Sequence, residues 1–145
     1  MIKQASFTAQ IDEWVLKSKA RMLAVFQTAT QFVIEDMLDR TPVDTGYLRA
    51  SLTVKFNTPA PIRPNNVPSE GATRNSYGMP TQYALAIAGS KIGQTIYASY
   101  TAAYALPVEY GFRSYSGAGM VRLSAQNWDA HVAKAVSVAK LKAMQ

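Results

Sequence analysis

Apolar residues recur at steps of three and four near the start of the chain: Phe7, Ile11, Trp14 and Val15, Met22, Val25 and Phe26, Val33, Met37. That period lays an apolar stripe along one side of an α-helix, and neither Gly nor Pro interrupts residues 7 to 40. The spacing predicts one long helix there, with a break near Thr28–Thr30 as the alternative. Asp12 and Glu13 near its start and Arg40 at its end suit the helix dipole. Such a helix is roughly 50 Å long at about 1.5 Å per residue. That exceeds what a small domain covers, so part of the stripe is expected to face another subunit.

Pro42 stops the helix by disfavouring helical geometry at Thr41. Thr41 to Gly46 then reads as a turn, in which Asp44 accepts backbone N–H groups further on and Gly46 takes positive φ. Leu52, Val54 and Phe56 alternate with Ser51, Thr53 and Lys55, the signature of a half-buried strand. Residues 57 to 80 hold Pro59, Pro61, Pro64, Pro68 and Pro80 among several Asn, Ser and Gly, and predict an extended loop. Loops beyond about 12–15 residues are commonly functional or disordered; this one is expected to reach a neighbouring subunit or to be a floppy excursion. Residues 81 to 90 fit a short helix better than a strand. Thr95 to Thr101 predicts a strand with Ile96, Ala98 and Tyr100 on one face. From Ala102 a loop leads to a short extended piece ending at Glu109-Tyr110-Gly111. Ser124 is the expected cap of a final helix, whose apolar face is Trp128, Val132, Ala135, Val136 and Ala139. The pattern adds up to a single α+β domain over 1–145: long N-terminal and C-terminal helices packed on a small antiparallel sheet, with a long Pro/Asn-rich loop.

Composition adds limits. Apolar residues are 48% of the chain, enough for a packed core. No run of 18 apolar residues predicts a membrane span, and Met1 to Trp14 lacks the apolar region of a secretory leader. With no cysteine, disulfides, thiolate metal sites and a Cys nucleophile are excluded, which suits assembly in a reducing cytoplasm. Fifteen basic and nine acidic residues give a net charge of +6, scattered rather than clustered. That charge suits a polyanion, an acidic protein surface or plain solvation.

Candidate chemistry is sparse. His131, the single histidine, has no acidic neighbours at ligand spacing in sequence and reads as a surface or groove residue. No nucleophile elbow, Walker lysine loop or dinucleotide fingerprint occurs. Glu35 and Asp39 share a helix face, where two carboxylates bind a cation or, more commonly, stay solvated. Tyr97, Tyr100, Tyr104 and Tyr110, with Phe112 and Tyr115 beyond, suit core packing or subunit contact. Stacking on single-stranded nucleic acid is the other use, so a nucleic-acid-binding module is the alternative function.

Two segments carry a family likeness. Thr41-Pro42-Val43-Asp44-Thr45-Gly46-Tyr47-Leu48-Arg49-Ala50-Ser51 resembles the first signature of the HK97 gp10-like proteins of tailed phages. Tyr104-Ala105-Leu106-Pro107-Val108-Glu109-Tyr110-Gly111 resembles the family's second motif, and Gly119 to Leu123 resembles the lead into its last helix. The likeness spans about residues 30 to 135; the Pro/Asn-rich stretch departs from shorter members. It implies a structural virion protein of the neck or head–tail connection, without catalysis, cofactor or metal, built in the host cytoplasm. The expected partners are copies of itself in a ring (six favoured, twelve the alternative) and adjoining head-completion, connector, tail-terminator or tail-tube proteins. Genomic DNA in the lumen is a further candidate partner; no membrane is expected. The residues singled out as structural or interfacial are Asp44, Gly46, Arg49, Tyr104, Glu109, Tyr110 and Gly111. Arg49 and Glu109 are expected to pair, within a subunit or across a ring contact, or else to stand as two independent surface charges.

Overall fold

The structure is a computed structural model describing residues 6 to 144. Helix α1 (Phe7–Arg40) is one unbroken element. Ser6 caps it by accepting the Ala9 amide at 3.2 Å, and Thr41 turns extended ahead of Pro42. The alternative break at Thr28–Thr30 does not occur. The hydroxyls of Thr28 and Thr30 donate to the carbonyls of Ala24 and Phe26, each at 2.8 Å, so both are satisfied within the helix.

A single helical turn, α2 (Tyr47–Ala50), leads into strand β1 (Leu52–Phe56). A turn-rich connection without helix or strand runs to α3 (Gln82–Ala88), the helix that the sequence favours over a strand. Strand β2 (Ile96–Tyr100) pairs antiparallel with β1, Leu52 opposite Tyr100 and Phe56 opposite Ile96. Ile34, Met37 and Leu38 of α1 form the core with Leu48, Leu52, Ile87, Tyr100 and Met120. The fold is therefore α+β; contrary to the expectation that both long terminal helices pack on the sheet, they pack chiefly on each other, beside a two-stranded antiparallel sheet.

Two expectations fail. The extended piece ending at Gly111 is instead helix α4 (Ala105–Tyr110). Pro107 sits in its first turn, where the missing N–H has no intrahelical acceptor to lose. Ser124 does not cap the final helix; it lies buried inside a short helix α5 (Arg122–Gln126), and its hydroxyl donates to the Met120 carbonyl at 2.7 Å. The last helix, α6 (Trp128–Ala143), follows at Asn127. It lies antiparallel against α1: His131 meets Asp36 at 3.1 Å and the Lys134 ammonium stands 4.2 Å from the Phe32 ring centre. Among the described residues no helix is long and apolar enough to cross a membrane.

Candidate functional site

The two motif segments fold against each other. Residues Pro42 to Leu48 and residues Tyr104 and Val108, with Pro68, line one cleft of about 370 Å³. Gly46, at φ 87, makes the turn possible. A side chain there would be strained by the left-handed backbone and would drive its Cβ into the Tyr77 carbonyl. That close approach comes from the β1–α3 connection, which is strapped to the turn by two amides. Asn75 donates to the Asp44 carbonyl and Tyr77 to the Thr45 carbonyl, both at 2.8 Å.

Tyr47 and Tyr77 meet edge to face at 4.9 Å, and the Tyr47 hydroxyl donates to the Asn66 side-chain carbonyl. Asn66 in turn donates to the Thr101 hydroxyl at 2.9 Å. Asp44 therefore contributes through its backbone. The side chain that accepts an amide ahead of it in the turn is Thr45, from Tyr47 at 3.2 Å. Tyr77, the single aromatic between residues 57 and 80, could have been singled out in sequence on that ground.

Glu109 is the most constrained charge of the site, with 5% of its surface exposed. One carboxylate oxygen accepts the Val121 amide and the other accepts the Arg122 amide and Nε, all at 3.0 Å. The Arg122 guanidinium also donates to the Glu109 backbone carbonyl at 2.9 Å and lies 4.5 Å from the Tyr110 ring centre. Burial raises the Glu109 pKa, but the Val121 and Arg122 donors outweigh it and hold the group below its ordinary 4.5. Glu109 thus does for α5 what Ser124 was expected to do for the final helix: it supplies acceptors to free N-terminal amides.

Within the subunit Arg49 and Glu109 do not pair: the Glu109 carboxylate is taken by Arg122 and two amides. Arg49 is half-buried, and its Nε has no hydrogen-bond partner among the described residues.

Gly111, at φ 105, starts a tight return loop. Val108 and Glu109 carbonyls accept the Ala118 and Gly119 amides at 2.7 and 3.1 Å. Gly117 lies so close that a Cβ would stand 2.6 Å from the Glu109 carbonyl oxygen. Phe112 and Tyr115 bond to each other across the tip and remain exposed, with Tyr110 and Leu106 beside them. The tyrosines therefore divide. Tyr100 is core: burial, partly offset by its bond to the Thr41 hydroxyl, pushes its phenol up to about 12. Tyr104 is half-buried against Leu48, and burial raises its phenol too. Tyr97, Tyr110 and Tyr115 face outward.

Glu35 and Asp39 do not form a paired site; Glu35 accepts from Gln31 at 3.1 Å, while Asp36, between them, is the carboxylate in a network. It accepts from Arg40 at 2.8 Å and meets Asn127 and His131 across the helix pair. Burial raises the Asp36 pKa, and these donors more than reverse it, leaving the group below its ordinary 3.8. Among the described residues no group of three or more His, Asp or Glu could hold a metal ion.

Outside the core, α1 is bare. Phe7, Trp14 and Met22 are 77%, 69% and 68% exposed, and Ile11 and Leu16 are exposed as well. Comparison with family models, curated proteins and solved structures finds no match.

Proposed function

We propose that the chain is a structural virion protein of a phage neck or head–tail connection, acting without catalysis by assembling into a ring. The observation that carries the reading is the convergence of the two motif segments. They build a scaffold whose Glu109 is satisfied internally, while Leu106, Tyr110, Phe112 and Tyr115 stand outside it. Rigid amphipathic aromatics on a fixed loop suit subunit contact. The β1–α3 connection has a similar division. Asn66 and Tyr77 tie it inward, while Val67 and Met79 stand exposed on it; Ile62 joins the groove of Leu106 and Tyr110. A contact between the aromatic tip of one copy and another surface of the next is head-to-tail, and such a contact closes into a ring.

Electron microscopy tests this. Purified protein should give closed rings, and particles made without it should show heads and tails that fail to join. Normally joined particles would overturn the reading. So would a monomer whose main activity is DNA binding that weakens steeply with salt, the behaviour of a nucleic-acid module.

A further inference from the structure

The face of α1 that α6 covers does not end where α6 ends. Positions 25, 29, 32 and 36 lie on that face. Ala29 is fully buried, and Phe32 and Asp36 touch Lys134 and His131 of α6. Continuing toward the N-terminus in the same steps of three and four gives 22, 18, 14, 11 and 7, that is Met22, Ser18, Trp14, Ile11 and Phe7. Since Lys134 lies opposite Phe32 and the helices are antiparallel, the end of α6 at Ala143 lies opposite about residue 23. Beyond it α6 no longer covers the track: Met22 borders a groove shared with residues 91–94, and Trp14, Ile11 and Phe7 face solvent.

We propose that a second copy of this chain fills the track, its own α1 running antiparallel so that the two projecting segments pair about a two-fold axis near Trp14–Val15, Ile11 opposite Ser18 and Phe7 opposite Met22. Charge favours this partner. The segment is acidic toward its start, at Asp12 and Glu13, and basic toward its end, at Lys17, Lys19 and Arg21. Antiparallel pairing sets each acidic end beside the other copy's basic end; parallel pairing would set like against like. Area favours it too. Phe7, Ile11, Trp14 and Met22 expose on the order of 500 Å² per copy, so a pair reaches the roughly 1,000 Å² expected of a biological interface. Phe7 of one copy arrives beside the other's α6 end, where Leu141 and Met144 are also exposed. The contact is isologous and independent of the ring: added to a ring of six it makes twelve copies, and without a ring it makes dimers.

The native chain has no cysteine, so single cysteines report the geometry cleanly. Oxidation of the full chain should link Val15→Cys to itself. It should link Ile11→Cys to Ser18→Cys, which lies on the same track, in a mixture, and leave Ile11→Cys alone unlinked. Self-linking of Ile11→Cys, or no linking at any of these positions, overturns the proposal. Light scattering of Trp14→Glu should show half the native copy number, twelve to six or two to one, with the native circular dichroism of a folded subunit, since Trp14 is 69% exposed and outside the core. A native protein that is monomeric, or a Trp14→Glu variant with native copy number, also overturns it. Failure of the ring reading appears separately, as native dimers in place of twelve.

Discussion

Replacing Glu109 by Ala removes the acceptor for the Val121 and Arg122 amides and for the Arg122 guanidinium. The guanidinium is half-exposed and turns to water at little cost. The amides are held at the mouth of α5 and lose a charged acceptor. An unsatisfied buried donor costs about 1–3 kcal/mol, and loss of a helix cap about 1 kcal/mol. The variant should therefore lose roughly 2–4 kcal/mol. For a chain of 145 residues each kcal/mol shifts the melting midpoint by about 3–4 °C, so the drop is on the order of 10 °C. Glu109→Gln keeps one acceptor oxygen and should lose about half as much, and Arg122→Ala about 1 kcal/mol. Urea unfolding at neutral pH measures all three against the surface control Glu70→Ala. If Glu109→Ala costs no more than the control, the carboxylate is not holding α5. If Arg122→Ala costs as much as Glu109→Ala, the ion pair and not the pair of amides carries the site.

Gly46→Ala should destabilise by about 2 kcal/mol more than Gly71→Ala. Both glycines sit at similar positive φ, but only at Gly46 would the added Cβ meet another atom, the Tyr77 carbonyl; equal costs in urea unfolding would mean that the connection yields freely. The depressed pKa values of Glu109 and Asp36 fix the sign of the pH dependence. Each group stabilises the fold at pH above its ordinary value, 4.5 or 3.8, and that contribution is lost as pH falls through the lower folded value. The unfolding midpoint should fall progressively below about pH 4.5, and Glu109→Gln should flatten the upper part of that fall; a native-like slope in the variant would contradict the assignment.

Local pattern made much of the fold legible. The steps of three and four over residues 7 to 40 name α1, and alternation at Leu52 to Phe56 and at Ile96 to Tyr100 names both strands. Helix α4 was hidden because Pro107 and the spaced Tyr104, Val108 and Tyr110 read as extended chain, whereas Pro in a first turn is harmless. The Glu109 site was half legible. A lone acid within the apolar run from Ala102 to Tyr110 signals a buried, partnered charge, but its partners lie twelve and thirteen residues on, beyond any helical or strand spacing. Arg49 was the nearest candidate only because it stands in the other motif. The strap from Asn75 and Tyr77 to the turn joins segments some thirty residues apart through backbone groups, which side-chain pattern does not record.

The position of the core gives the outer half of α1 its meaning. Every buried residue of α1 lies between Ala29 and Leu38, so the residues before Met22 add almost nothing to the stability of their own subunit. An isolated helical segment of that length is marginal in water. Covering its apolar stripe on both copies removes on the order of 1,000 Å² from solvent, worth about 25 kcal/mol at roughly 25 cal/mol per Å². Lost translational and rotational freedom opposes this by about 4–15 kcal/mol. Ordering of the Lys, Arg, Met and Trp side chains adds about 0.5–1.5 kcal/mol for each one immobilised. The fraying helix must also be fixed, so the surplus for one pair is modest. If six copies are first held in a ring, their six projecting helices meet a second ring together, and each later pairing is intramolecular at high effective concentration. Helix pairing and ring closure should therefore reinforce each other. A weakened ring contact, such as Tyr110→Ala at the exposed tip, should loosen cross-linking between Ile11→Cys and Ser18→Cys.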